Sequence, residues 1–215
     1  MRSQLFLIAL TVLLTGVSFV GAERFVPQVM QHIPVIPLFG ILIWCAVRRT
    51  FGHWSFCCII AFLWLHILGA RYTYSSVPYD GWANAAFGAT LSDKFGWTRT
   101  HYDRLVHLMF GVLWAKPFVE LARPAMPSKL WQAMFSLSAI GALSALYEVA
   151  EWSLTMFMSP IHAERYNGQQ GDIWDPQKDM ALAMAGAFVV LLAMNTQLRR
   201  EGSVDIRSRT GDSPG

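Results

Sequence analysis

The residues most able to do chemistry are acids and imidazoles set within strongly apolar stretches. In "ALYEVAEW", Glu148 and Glu151 are three residues apart, which places both on one face of a helix. In "HYDRLVH", Asp103 and His107 are four residues apart, and Arg104 is three residues before His107. Because carboxylates and imidazoles bind divalent metals and transfer protons, these stretches predict a polar site of one of those kinds.

Two further stretches, "HILGARYTYSSVP" and "GDIWDPQKDM", carry polar side chains beside apolar segments. These side chains are His66, Arg71, Tyr72 and Tyr74 in the first stretch and Asp172, Asp175 and Asp179 in the second. An ionisable group inside a bilayer costs a few kcal/mol, so a set of such groups is expected to pair internally and to serve a function. Structural roles are the alternative, such as an interhelical hydrogen bond for His66 or N-capping by Asp175 and Asp179.

The elements that must position these residues are transmembrane helices. The chain of 215 residues is 54% hydrophobic and only 14% charged and has nine tryptophans, which is too apolar for an ordinary soluble domain. Its length leaves no room for a second domain, and no basic patch interleaved with aromatics indicates nucleic acid. We therefore predict an all-α, polytopic membrane helix bundle in residues 1–200 and a disordered cytoplasmic tail in residues 201–215.

About six segments are long and apolar enough to cross the roughly 30 Å hydrocarbon layer as helices. They are 3–22, 30–47, 54–72, 103–122, 130–156 and 177–197. Pro34 and Pro37 are expected to delay or kink the start of the second segment, and Pro117 to kink the fourth. Asp175 and Pro176 form a favourable N-cap and first position for the last helix.

The positions of lysine and arginine predict the orientation of the bundle. If every segment spans, one face receives Arg2, Arg48, Arg49, Arg123, Lys129, Arg199, Arg200, Arg207 and Arg209. This face is expected to be cytoplasmic, with both termini inside, and the acids and imidazoles then meet near the outer face. An alternative is that the first apolar segment is a signal peptide cleaved after Ala22. Cys45, Cys57 and Cys58 fall within the spans and do not have metal or redox spacing, so packing is their expected role.

The sharpest functional hypothesis is a metal centre that assists hydrolysis of a lipid-linked or phosphate-bearing substrate, such as an anionic lipid. Its expected metal ligands, for a divalent metal such as zinc, are His66, His107, Glu148, Glu151 and Asp175 or Asp179. The expected catalytic residues are Glu148, Glu151, Arg104 and Asp179. The expected substrate-binding residues are Arg71, Tyr72, Tyr74 and Asp172.

Two other functional classes remain open. One is an ion- or proton-coupled transporter, since His, Glu and Asp in membrane helices can relay protons. The largely apolar inner halves of the spans, such as "MFGVLWA" and "AFVVLLAM", count against a complete pathway. The other is a non-catalytic membrane protein whose polar cluster is structural or binds lipid. Oligomeric state is not predicted, because the small residues of "AMAGA" are explained by contacts within one bundle.

The four ordered stretches "HILGARYTYSSVP", "HYDRLVH", "YEVAEW" and "GDIWDPQKDM" resemble the YjdF-like family of bacterial inner-membrane proteins along nearly the whole chain. The resemblance implies a multi-pass protein of the bacterial inner membrane, and it implies no established reaction. A looser similarity to VanZ-like membrane proteins rests on an acid in one helix, Glu148 or Glu151, and Asp179 at the start of the next.

Overall fold

Helices make up the regular structure of the described chain. The computed structural model describes the backbone of residues 1–158 and 169–210, and the side chains of these residues as far as 196. The helices are α1 (Arg2–Ser18), α2 (Phe25–His32), α3 (Val35–Arg48), α4 (His53–Arg71), α5 (Tyr79–Phe87), α6 (Leu91–Phe95), α7 (Tyr102–Ala122), α8 (Lys129–Thr155) and α9 (Asp175–Thr210). The prediction of an all-α, polytopic membrane bundle is confirmed.

Five segments of the described chain are long and apolar enough to cross a membrane. They are Phe25–Arg48, which combines α2 and α3, and then His53–Arg71, Tyr102–Ala122, Lys129–Thr155 and Asp175–Thr196. The prediction of about six spans differs at the first one, because α1 is apolar but has only 17 residues. It ends at Ser18, before the predicted end at residue 22, and Gly21 follows in the left-handed conformation that ends helices. The predicted effect of Pro34 is confirmed by the break between α2 and α3.

The helices run in alternating directions, so their polar ends form two separate groups. At one end, Glu120 Oε2 accepts a hydrogen bond at 2.9 Å from the backbone N–H of Gly52, which precedes α4. At the other end, Arg71 donates to the Ser18 carbonyl, and the guanidinium of Arg99 contacts Asp175 at 2.5 Å. We call this second end, at which α7 and α9 begin, the site end.

The closest helix packing joins α7 and α9 through two glycines. A Cβ on Gly111 would lie 1.9 Å from the carbonyl oxygen of Ala183, and a Cβ on Gly186 would lie 2.4 Å from the carbonyl oxygen of Leu108. Both distances are far below van der Waals contact, so only glycine allows the two backbones to approach this closely. The small residues of "AMAGA" therefore pack within the bundle, and their contact fixes α9 against the first turns of α7.

The predicted division into a bundle (1–200) and a cytoplasmic tail (201–215) stays a prediction. The described backbone of α9 is helical to Thr210, and residues 211–215 lie outside the described residues.

Candidate functional site

Three helices bring one imidazole and three carboxylates together at the site end. We call Asp103, His107, Glu148 and Asp179 the carboxylate cluster. Asp103 and His107 lie one turn apart on α7, Glu148 lies on α8, and Asp179 lies in the first turns of α9. One ligand atom each from Asp103, His107 and Asp179 lie within 4.8 Å of one another. The Nε2 atom of His107 is 3.4 Å from Glu148 Oε1 and 3.8 Å from Asp103 Oδ1.

The cluster is buried, and part of its hydrogen-bonding capacity is unused. Asp179 is 2% exposed, and Glu148 is 9% exposed. Among the described residues, neither Glu148 Oε1 nor Asp179 Oδ1 receives a hydrogen bond. Buried carboxylate oxygens without donors are strongly unfavourable in a low-dielectric environment, so this arrangement requires a proton or a cation to be stable.

Among the described residues, the cations nearest to the carboxylate cluster are already paired with other acids. Arg99 Nη1 is 2.5 Å from Asp175 Oδ1, and Arg104 Nη2 is 2.5 Å from Asp172 Oδ2 and 3.3 Å from Asp175 Oδ1. Lys178 Nζ is also 2.6 Å from Asp172 Oδ2. We call Arg99, Arg104, Asp172 and Asp175 the ion-pair layer. This layer ties the loop before α7 to the start of α9, and in the described part of the chain it leaves the carboxylate cluster without a guanidinium of its own.

The ion-pair layer also sets the titration of the groups outside the spans. The hydrogen bond from Lys178, with further donors in the Trp174 backbone N–H and Arg104, lowers the pKa of Asp172 to about 2. Burial lowers the pKa of His101, and the positive charges of Arg104 and Arg99 lower it further. At neutral pH, Asp172 is therefore ionised and His101 is uncharged.

His66 belongs to a different group of side chains. Its Nε2 lies 3.1 Å from the Gln31 carbonyl and its Nδ1 lies 2.5 Å from the Tyr74 hydroxyl. A carbonyl only accepts, so Nε2 carries the proton and Nδ1 accepts from Tyr74. The ring of His32 packs against that of His66 with centroids 5.8 Å apart. We call Gln31, His32, His66 and Tyr74 the histidine cluster.

The backbone after α4 explains how Tyr74 reaches His66. Thr73 and Tyr74 both have positive φ, 52° and 54°, which is uncommon for residues other than glycine and most costly for β-branched ones. The reversal lays the Tyr74 ring over Gly69, where a Cβ would lie 2.7 Å from the ring. The local strain and the glycine together hold the Tyr74 hydroxyl on His66.

The structure thus brings some predicted site residues together and separates others. His107, Glu148 and Asp179 converge in the carboxylate cluster, and Glu151 lines an adjoining cavity of about 350 Å³ with Glu148, Asp175 and Asp179. His66 and Tyr74 lie in the histidine cluster, where both ring nitrogens of His66 are engaged.

Four other predicted residues have identifiable partners elsewhere. Arg71 donates to the carbonyls of Ser18 and Val20, which fastens the end of α1, and the Tyr72 ring packs on Trp82. Asp172 and Asp175 hold the arginines of the ion-pair layer, so Asp175 is not placed as a ligand beside His107.

Two residues at the site end were not assigned a role from the sequence. Asp103 was visible from its spacing to His107, and the structure makes it a member of the carboxylate cluster. Arg99 lies in the long connection before α7, where no periodicity predicts a partner. The indication for Arg99 in the sequence was its position. It is a basic residue on the predicted outer side, opposite the face to which the orientation prediction assigns its lysines and arginines.

A second cavity, of about 370 Å³, lies among α3, α4, α7 and α8. Its walls are mostly apolar, but Asp103 and His107 line it on one side and His66 and Tyr74 on another. Asp103 also lines the smaller cavity beside Glu151. The carboxylate cluster therefore borders two cavities, one strongly apolar and one bounded by acids.

Comparison with known proteins agrees with this architecture. The family model described as "Predicted membrane protein (DUF2238)" matches residues 3–200. The inner membrane protein YjdF of Escherichia coli (strain K12) is 28% identical over 203 residues, which cover 92% of this chain and 91% of the relative. No solved structure matches this chain. The similarity to VanZ-like proteins stays an interpretation of the sequence. The chain belongs to the DUF2238 family of predicted membrane proteins.

Proposed function

We propose that this multi-pass inner-membrane protein of the DUF2238 family binds a divalent metal ion in the carboxylate cluster. The observation that carries the proposal is the convergence of Asp103, His107 and Asp179 within 4.8 Å at the site end, beside Glu148 Oε1, which receives no hydrogen bond from the described residues. A metal ion would bind the carboxylate oxygens and the His107 ring nitrogen as ligands, and its positive charge would compensate the charge of the carboxylates. The same ion would connect α7, α8 and α9.

The donor set indicates which metals fit. One imidazole and up to three carboxylates make a nitrogen and oxygen site without thiolates, which suits Mn²⁺, Fe²⁺ or Zn²⁺. His107 supplies the nitrogen that favours these ions over Mg²⁺ and Ca²⁺, which prefer oxygen ligands alone. The proposed ligand set differs from the sequence-based one, because Asp103 is added and His66 and Glu151 are left out. Of the two alternatives Asp175 and Asp179, it takes Asp179.

The reaction class that this site would serve is hydrolysis of a lipid-borne ester. A metal with an open position lowers the pKa of bound water and polarises the bond under attack. Glu151 lines the adjoining cavity with Glu148 and is the candidate for accepting a proton there. We place this chemistry near the periplasmic face, because the opposite end carries Arg2, Arg48, Arg49, Arg123 and Lys129.

Transport is less well supported than metal binding. A conducting pathway needs polar groups along the whole depth of the bundle. Beyond the carboxylate cluster, α7, α8 and α9 close around an apolar core of Ala115, Phe118, Ile140, Ala183 and Ala187.

A structural role is favoured by a different observation, the ion-pair layer, which joins segments without requiring a ligand.

The test is elemental analysis of protein purified gently in mild detergent, with Asp179→Asn as the variant. We expect about one metal ion per chain in the wild type and a loss of roughly tenfold or more in the variant, because a ligand is removed. Glu120→Gln is the matched control, since Glu120 is a carboxylate at the opposite end of the bundle that binds the Gly52 backbone. It should retain the metal.

The outcome that would overturn the proposal is a metal-free wild type that also takes up no Mn²⁺, Fe²⁺ or Zn²⁺ on dialysis. If Asp179→Asn keeps its metal, the carboxylate cluster is not the site.

A further inference from the structure

We propose that the cavity of about 370 Å³ is a lipid site, and that its ligand is a phospholipid with a single acyl chain, held with the phosphate towards the carboxylate cluster. The phosphate position rests on the proposed metal, whereas the acyl site depends only on the cavity. The volume falls at the lower end of the range for ligand pockets, which fits one chain better than two.

The position of the cavity gives the ligand a route from the bilayer. The cavity lies between α3, which packs on α1 and α2, and α8, which packs on α7 and α9. Ile41 of α3 and Leu143 of α8 both line it, yet they are 55% and 44% exposed. Side chains that line a cavity and also face outwards mark its mouth, and at mid-span this mouth faces lipid chains.

Two of the residues that line the cavity carry polar groups that indicate an oxygen-bearing ligand. Among the described residues, Ser144 Oγ and Trp114 Nε1 are buried without hydrogen-bond partners, and both residues line the cavity. Ser144 is only 2% exposed. The indole N–H can only donate, so it requires an acceptor, and a purely hydrocarbon ligand would leave it unsatisfied.

The depths of the polar groups match the order of groups in a single-chain phospholipid. Ser144 lies one helical turn from Glu148, and Trp114 lies seven residues from His107, or roughly 10 Å along α7. A phosphate beside the carboxylate cluster would place a carboxylic ester at the depth of Ser144 and Trp114. The ester carbonyl would accept from them, and the acyl chain would leave between Ile41 and Leu143.

The binding experiment uses lysophosphatidic acid with a photoreactive diazirine in its acyl chain, applied to the full protein in detergent. We expect saturable labelling of peptides from α3, α4, α7 and α8, and competition by unlabelled lysophosphatidic acid. Leu143→Trp should block the mouth and reduce the saturable labelling at least tenfold. Leu146→Trp is the matched control, because Leu146 is 63% exposed on the same helix and does not line the cavity.

A second pair of variants tests the polar contacts without filling the cavity. Trp114→Phe and Ser144→Ala should each weaken competition by lysophosphatidic acid about threefold to tenfold, as expected for one lost hydrogen bond. Competition by a plain alkane of the same length should not change.

The outcomes separate this proposal from the metal site. Labelling that does not saturate, or that is equal in Leu143→Trp and Leu146→Trp, overturns the lipid site. Saturable, mouth-dependent labelling of a wild type that proves metal-free supports the acyl site and overturns the metal. Competition by palmitate as effective as that by lysophosphatidic acid overturns the phosphate assignment.

Discussion

The carboxylate cluster and the histidine cluster line the same cavity, but they solve the burial of polar groups in different ways. In the histidine cluster, neutral groups exchange hydrogen bonds, and both nitrogens of His66 are engaged. In the carboxylate cluster, three acids surround one imidazole, and Glu148 Oε1 and Asp179 Oδ1 receive no hydrogen bond from the described residues. Among the described residues, Gln31 Oε1 and His32 Nε2 also have no hydrogen-bond partner, but they belong to neutral groups, whereas the carboxylates require a cation or protons from outside the chain. Imidazoles in a membrane bundle therefore do not identify a metal site by themselves.

The largest effect is expected at the crossing of α7 and α9, which supports the carboxylate cluster but not the histidine cluster. In Gly111→Ala, the new methyl group would lie 1.9 Å from the Ala183 carbonyl oxygen, so the helices must separate. We expect a loss of about 3 kcal/mol in the free energy of unfolding, as for severe overpacking, together with loss of bound metal. Thermal unfolding in detergent and elemental analysis measure the two effects.

The control for this substitution is Gly40→Ala, because a Cβ on Gly40 of α3 would meet no atom within 4 Å. Alanine is the better helix former, so this variant should be stabilised by about 0.5–1 kcal/mol. Equal stability of Gly111→Ala and the wild type would show that the two helices do not cross as described.

A smaller effect is expected at the histidine cluster. Tyr74→Phe removes the hydroxyl that donates to His66 Nδ1 and leaves a buried acceptor unpaired. We expect a loss of about 1 kcal/mol in stability and no change in metal content. Tyr72→Phe is the control, since the Tyr72 ring packs on Trp82 at the surface of the site end. If Tyr74→Phe loses the metal, the two clusters form one site and the distinction between them is wrong.

The sequence predicts features that depend on residues close together in the chain, and it does not predict contacts between residues far apart in the chain. The spans follow from apolar length, and the pairing of Asp103 with His107 follows from helical periodicity, so both are visible along the chain. The division of His66 from His107 is not, because it depends on Gln31 and on the left-handed turn at Thr73 and Tyr74. The pairing of Arg99 with Asp175 joins a loop to a helix 76 residues later, and no local pattern encodes such a contact.

The smallest effect is expected in the ion-pair layer, where the pH dependence of stability distinguishes this layer from the carboxylate cluster. Asp172 has a pKa of about 2 in the folded protein, against an ordinary value of 3.8, mainly because Lys178 donates to it. A lowered carboxyl pKa means that its stabilising contribution is complete above pH 3.8 and is lost as the pH falls through about 2. The difference in melting temperature between wild type and Asp172→Asn should therefore be largest near neutral pH and shrink towards pH 2.

Lys178→Gln sharpens this test because it removes the largest cause of the shift. The pKa of Asp172 should then rise towards its ordinary value, so the acid loss of stability should be smaller and should be complete at a higher pH than in the wild type. Metal content should be unchanged in both variants, because Asp172 binds arginine and lysine rather than the carboxylate cluster. A difference in melting temperature that stays constant from neutral pH to pH 2 would mean that the charge of Asp172 does not hold the start of α9. The hydrogen bond that Asp172 Oδ1 accepts from the Trp174 backbone N–H would then be its only contribution.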